Sequence, residues 1–76
     1  MEVTVICYGA LRDRIGGRRE TSLELGPDGD VDEVIDHLGI EPRSVFQILV
    51  NEEQATRSQR LSGGDTVTLM PPFTGG

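Results

Sequence analysis

From Glu2 to Tyr8 the chain reads Glu-Val-Thr-Val-Ile-Cys-Tyr, dense in β-branched residues. Val3, Val5 and Cys7 fall on one face and Thr4, Ile6 and Tyr8 on the other, which predicts a strand. Ala10 to Ile15 offers a short helical turn before Gly16-Gly17, a pair suited to a reversal. Leu23 and Leu25 then alternate with Ser22 and Glu24, so Glu20–Leu25 is expected to return as the second strand of a hairpin buried on one side.

Gly26-Pro27-Asp28-Gly29 is a turn, and Asp30 with Glu33 three residues later has the spacing of an N-cap and capping box. Val31, Val34, Ile35 and Leu38 follow at i, i+3, i+4 and i+7, one apolar stripe on a helix of about three turns. Gly39 stops it, because a left-handed residue commonly follows a helix and only Gly adopts that shape cheaply. Phe46–Val50, interrupted only by Gln47, predicts a central strand. Asn51-Glu52-Glu53-Gln54 turns the chain into a short edge segment, Leu61 precedes the Ser62-Gly63-Gly64-Asp65 turn, and Thr66–Met70 is the last strand. Pro71 has no N–H for a ladder, so pairing should end there.

This order predicts an α+β single domain over residues 1–76, a mixed four- or five-stranded sheet with one main helix on one face. Val3, Val5, Leu23, Leu25, Ile48, Val50, Val67 and Leu69 would face the helix. Ile6, Tyr8, Leu49 and Met70 would then lie on the opposite face, an apolar patch beside the C-terminal tail and a candidate docking surface.

At 76 residues a closed internal active site is not expected. Hydrophobic residues are 36% of the chain and aromatics 4%, so Val, Ile and Leu must build the core. The net charge of −6 repels phosphate backbones, which argues against nucleic acid and anionic membranes as partners. All seven basic residues are Arg, at 12, 14, 18, 19, 43, 57 and 60. With one Cys, no apolar run near the ~20 residues of a membrane span and no signal-peptide pattern, the chain reads as cytoplasmic and complete.

Several residues look chemical and read better as structural. Cys7 alternates with Val3 and Val5 and should be a small buried hydrophobe. His37 lies off the apolar stripe, with no second His or Cys to complete a metal site. Asp28, Asp30 and Asp32 have the spacing that opens a calcium loop, but Glu33 stands at its sixth position and Gly39 at its twelfth, so helix capping explains them. Neither Gly16-Gly17 nor Gly63-Gly64 leads into the Lys-Ser/Thr of a phosphate loop.

The chain ends Pro71-Pro72-Phe73-Thr74-Gly75-Gly76. Two side-chain-free residues can enter a narrow channel, and adenylation would turn the last carboxylate into an electrophile for sulfur or nitrogen. A frayed terminus can look the same. Element order and tail together resemble the β-grasp fold of ubiquitin and the MoaD/ThiS family of ubiquitin-like sulfur carriers. The Leu11-Arg12-Asp13-Arg14-Ile15-Gly16 segment, Val50-Asn51, and Leu61-Ser62-Gly63-Gly64-Asp65-Thr66-Val67 also match. Pro71-Pro72 and the segment after the first strand are more similar to MoaD, the short connection after the helix to ThiS.

The resemblance implies that an E1-like enzyme of MoeB/ThiF type, using ATP and Mg²⁺, adenylates Gly76. A sulfurtransferase or persulfide donor would make the thiocarboxylate, and an acceptor such as the large subunit of molybdopterin synthase would take the sulfur. Gly76 would carry the reacting carboxyl, Gly75 would pass the constriction, and Phe73 and Thr74 would set reach and contacts. The chain would be a cosubstrate without bound cofactor or metal, and not an enzyme. Thiamine biosynthesis or tRNA thiolation, conjugation to lysines of other proteins, and a non-covalent β-grasp binding module stand as alternatives.

Overall fold

A computed structural model describes residues 1–72. Five strands form one sheet: β1 Glu2–Cys7, β2 Glu20–Glu24, β3 Gln47–Val50, β4 Glu53–Gln54 and β5 Thr66–Met70, in the order β2-β1-β5-β3-β4. β1 and β5 are parallel and the other neighbours antiparallel, which makes the sheet mixed. The helix α1 spans Val31–His37, and short 3-10 helices cover Gly9–Ile15 and Pro42–Ser44.

The alternation in β1 and β5 sorts the two faces. Val3, Val5, Cys7, Val67 and Leu69 are buried, with Ile48 and Val50 beside them, and they share a core with Val31, Val34 and Ile35 of α1. Leu11, Ile15, Leu25, Ile40 and Leu61 complete that core from the connections. Leu23 is only partly buried, as expected on an edge strand. The β-grasp expectation of an α+β domain with one helix on one sheet face is therefore met.

α1 is shorter than its apolar stripe suggests. It has seven residues, about two turns at ~3.6 residues each rather than three, and Leu38 is its C-cap. The stop is a Schellman arrangement: Gly39, at φ +67°, donates to the Asp36 carbonyl and Ile40 to the Ile35 carbonyl, both at 3.1 Å. Ile40, thereby returned to the core, does the packing that a third turn would have done.

At the other end Asp30 Oδ1 accepts from the Glu33 N–H at 2.9 Å, as the cap spacing requires. The reciprocal half of the box differs, because Glu33 Oε2 accepts from the Gly26 N–H at 3.2 Å. The Val31 and Asp32 N–H groups donate to the Gln59 and Arg57 carbonyls at 3.0 and 2.9 Å. Segment 57–60 thus closes the helix N-terminus, and Arg57 and Arg60 pair with Asp32 and Asp28.

Several strand expectations are corrected: the second strand ends at Glu24, one residue before Leu25, and Glu53-Gln54, expected in the turn, form β4. The first strand ends at Cys7, one residue before Tyr8. The apolar run 46–50 is an inner strand, but it starts at Gln47, and the middle of the sheet belongs to β5. Phe46 stands outside the strand and is 71% exposed. Hydrophobic density favoured β3, whereas parallel pairing of β1 with β5 decides the order.

Asn51 and Glu52 both have positive φ, 52° and 71°, and join β3 to β4 as a two-residue turn of the primed type. Asn51 holds it in place: Nδ2 donates to Asp65 Oδ1 at 2.9 Å, and Oδ1 accepts from the Thr66 N–H at 3.0 Å. Asp65 Oδ2 also accepts from the Ser62 N–H at 2.8 Å. Two sequence motifs far apart in the chain are therefore one lock at the end of the sheet opposite the tail.

Candidate functional site: the tail exit and the outer sheet face

The site begins where β5 leaves the sheet. The Tyr8 N–H donates to the Leu69 carbonyl at 3.1 Å, and the Phe46 N–H donates to the Met70 carbonyl at 2.7 Å. The last two carbonyls of β5 are thus held from opposite sides, and pairing stops at Pro71, which has no N–H to donate. The chain is fixed up to the residue before its two prolines.

A third contact sets the exit direction. Gly9 opens the 3-10 helix at φ +58°, and a Cβ there would stand 2.9 Å from Pro71 Cγ. Only a residue without a side chain allows this backbone shape and this approach together. After it, Leu11 and Ile15 enter the core while Arg12 donates to the carbonyls of Gly17 at 3.0 Å and Arg18 at 3.4 Å. Gly16 and Gly17 both have positive φ and reverse the chain after the 3-10 helix, whose Leu11 lines the cleft beside the tail exit.

Beside the exit lies an open cleft of about 1010 Å³ bordered by Gly9, Leu11, Ile40, Pro71 and Pro72. Asp13, Arg14, Glu41 and Arg43 edge it, with two charges of each sign. Arg43 is already paired to Glu41 at 2.9 Å. This mixed rim has no concentration of charge of the kind that binds a phosphate or a metal.

On the sheet face away from α1 the register places Ile6, Thr68 and Leu49 in one row, with Glu20 and Gln54 at its ends. Met70 lies opposite Gln47, and Tyr8 follows β1 beside Met70. Ile6, Leu49 and Met70 are half-buried, and Tyr8 is 42% exposed. The four patch residues expected from alternation are together on one face beside the tail exit.

Sequence reading missed Thr68, Phe46 and Gly9. Thr68 sits in the middle of the outer face yet is only 8% exposed, because Ile6 and Leu49 flank it on both sides. Phe46, the most exposed large apolar side chain among the described residues, stands at the same end of the sheet. A glycine directly after a strand and before a helical turn was the available signal for Gly9.

Cys7 and His37 take the buried and exposed positions that alternation and the apolar stripe predict. Cys7 is fully buried and burial pushes its thiol pKa up, away from the reactive thiolate. His37 Nδ1 lies 3.0 Å from the Glu33 carbonyl at an exposed position. Among the described residues no His, Cys, Asp and Glu group could hold a metal, and no helix is long and apolar enough to cross a membrane. Phe73, Thr74, Gly75 and Gly76, the expected tail residues, lie outside the described residues.

A five-stranded mixed sheet grasping one helix, with its last inner strand running straight into the tail, defines the ubiquitin-like class of protein. Known proteins agree. The ThiS family model matches residues 5–76, and the chain belongs to this family of ubiquitin-like sulfur carriers. No curated protein matches. SAMP1 from Haloferax volcanii is similar at 22% identity and a TM-score of 0.80, with 100% of both chains covered. A chain from the complex of subunits 1 and 2 of the molybdopterin-converting factor from Helicobacter pylori is 22% identical at a TM-score of 0.67, again with 100% of both chains covered. A chain from the BexX/CysO complex of Amycolatopsis orientalis is 25% identical at a TM-score of 0.69, covering 97% of this chain and 99% of that one.

Proposed function

We propose that this protein carries sulfur at its C-terminus as a thiocarboxylate of Gly76, for the synthesis of molybdopterin. The observation that supports it is the fixed exit of β5, held by Tyr8, Phe46 and Gly9 immediately before Pro71-Pro72-Phe73-Thr74-Gly75-Gly76.

A carboxylate oxygen of Gly76 attacks the α-phosphorus of ATP and pyrophosphate leaves, in an E1-like adenylating enzyme that holds the ATP and Mg²⁺. The outer sulfur of a persulfide then attacks the acyl carbon and AMP leaves, and a second thiol attacks the donor-side sulfur of the resulting acyl disulfide, forming a disulfide with it and releasing the thiocarboxylate. None of these steps needs an acid, base or nucleophile from this chain. Its part is that of a cosubstrate: it presents Gly75 and Gly76 at a defined reach and docks through Ile6, Tyr8, Leu49 and Met70.

Pro71-Pro72 and the segment after β1 favour the molybdopterin pathway, with the large synthase subunit as acceptor. The Helicobacter complex, in which a similar chain meets a second subunit, fits that reading. Thiamine synthesis, tRNA thiolation and conjugation to other proteins use the same activated carboxyl.

The test is the intact mass of the protein from its native host, with thiol-selective alkylation mapped to the C-terminus and a Gly76 deletion as control. A C-terminal thiocarboxylate is expected. Gly76 joined to lysines of other proteins would favour a modifier, and a free carboxylate alone, with activating enzyme and ATP present, would refute carboxyl activation.

A further inference from the structure

An activated acyl group is attacked first by amines and thiolates, so a protein that carries one is exposed to its own nucleophiles. This chain has no lysine among its 76 residues, and all seven of its basic side chains are arginines, whose guanidinium stays protonated. Its one thiol, Cys7, is fully buried on the helix-facing side of β1 and held in the neutral form by burial.

One amine remains, the α-amino group of Met1, and it is engaged. It donates to the Leu25 carbonyl at 2.6 Å and lies 2.8 Å from Glu24 Oε2. Because β1 and β5 are parallel, Met1 is at the end of the sheet opposite the tail exit. From Met1 to Cys7 is about 20 Å at ~3.3 Å per residue, while four residues beyond Pro72 span at most ~14 Å.

We propose that the chain is an obligate acyl donor: no side-chain amine or thiolate of its own accepts the activated carboxyl, from its own tail or a second copy's, and its α-amino group lies beyond the reach of its own tail. This rests on the reading that Gly76 is activated. In the step it forbids, an amine nitrogen would attack the acyl carbon, the bond to the leaving thiolate or AMP would break, and the amine proton would pass to solvent. Arginine at the cleft rim supplies positive charge without that chemistry. Arg14 and Arg43 line the same cleft as Pro71 and Pro72, so a lysine at either position would share the tail's exit.

The test needs no activating enzyme. The full chain is prepared as a C-terminal thioester of a small thiol, held at pH 8 at high protein concentration, and followed by intact mass, beside the Arg14→Lys and Arg43→Lys variants. The native chain is expected to give only thioester and hydrolysed carboxylate. At least one lysine variant should give a monomer lighter than the carboxylate by one water, or a covalent dimer, at least tenfold faster than the native chain. Such products from the native chain at a variant's rate would overturn the proposal, as would lysine variants that hydrolyse without any amide product. Failure of the sulfur-carrier reading would appear instead as the absence of activation by enzyme and ATP.

Discussion

Substituting Gly9 by alanine tests whether the 3-10 segment fixes the tail exit. Two costs are expected. An L-residue at φ +58° costs roughly 1–2 kcal/mol, partly offset by the smaller entropy of the unfolded chain when Gly is lost, about 0.4–1 kcal/mol. The new Cβ also meets Pro71 Cγ at 2.9 Å, and a proline ring cannot swing aside as a flexible side chain would. Overpacking of this kind adds about 1–3 kcal/mol. Gly16→Ala separates the two terms, since Gly16 has φ +72° and nothing within 4 Å of an added Cβ. By urea unfolding Gly16→Ala should cost about 0.5–1 kcal/mol and Gly9→Ala about 2–3 kcal/mol. At ~4–8 °C per kcal/mol in a domain of this size, the second should lower Tm by about 10–20 °C. Pro71→Ala removes the ring atom, so the double variant Gly9→Ala/Pro71→Ala should recover at least ~1 kcal/mol relative to additivity. Equal costs at Gly9 and Gly16, or additivity within ~0.5 kcal/mol, would refute the contact as the reason for glycine.

Asn51→Ala removes two of the three side-chain bonds of the turn lock and leaves a β-carbon residue at φ 52°, so a loss of about 2 kcal/mol is expected by urea unfolding, with Asp65→Ala sharing part of it rather than adding to it. The raised pKa of Cys7 has a pH consequence: below the thiol's unfolded value near 9.0 both states are protonated, and as pH rises above it only the unfolded chain loses the proton, so stability falls. Cys7→Ala should flatten that alkaline fall in a pH series of urea midpoints. Leu49→Glu lies on the outer face and should keep the native circular dichroism while weakening activation about tenfold or more, and unfolding instead would assign Leu49 to the core.

What the sequence made legible follows its periodicities. Period two placed Val3, Val5 and Cys7 inside and Ile6 outside, and the Asp30–Glu33 spacing placed the helix start. Period alone could not give strand order, because the pairing of β1 with β5 joins residues some sixty positions apart. The length of α1 failed for a related reason: Ile40 takes the place of a third turn only because Gly39 reverses the chain. Thr68 reads as a polar outward residue, and only its neighbours across two strands bury it. The expected docking residues came from alternation, whereas the position of Gly9 hinted only at a turn, and its contact with Pro71, like that of Phe46 with Met70, is long-range.

The parallel pairing of the first strand with the last also has a consequence for synthesis. β5 follows the other four strands in the chain yet occupies the middle of the sheet, so the long-range contacts that unite the structure form only after those four have been made. A partner that meets Ile6 and Leu49 across the buried Thr68 rests on β1 and β3 at the spacing that β5 sets between them. Recognition of that face would thereby be an inspection of assembly, passed only by molecules in which β5 has joined β1 to β3.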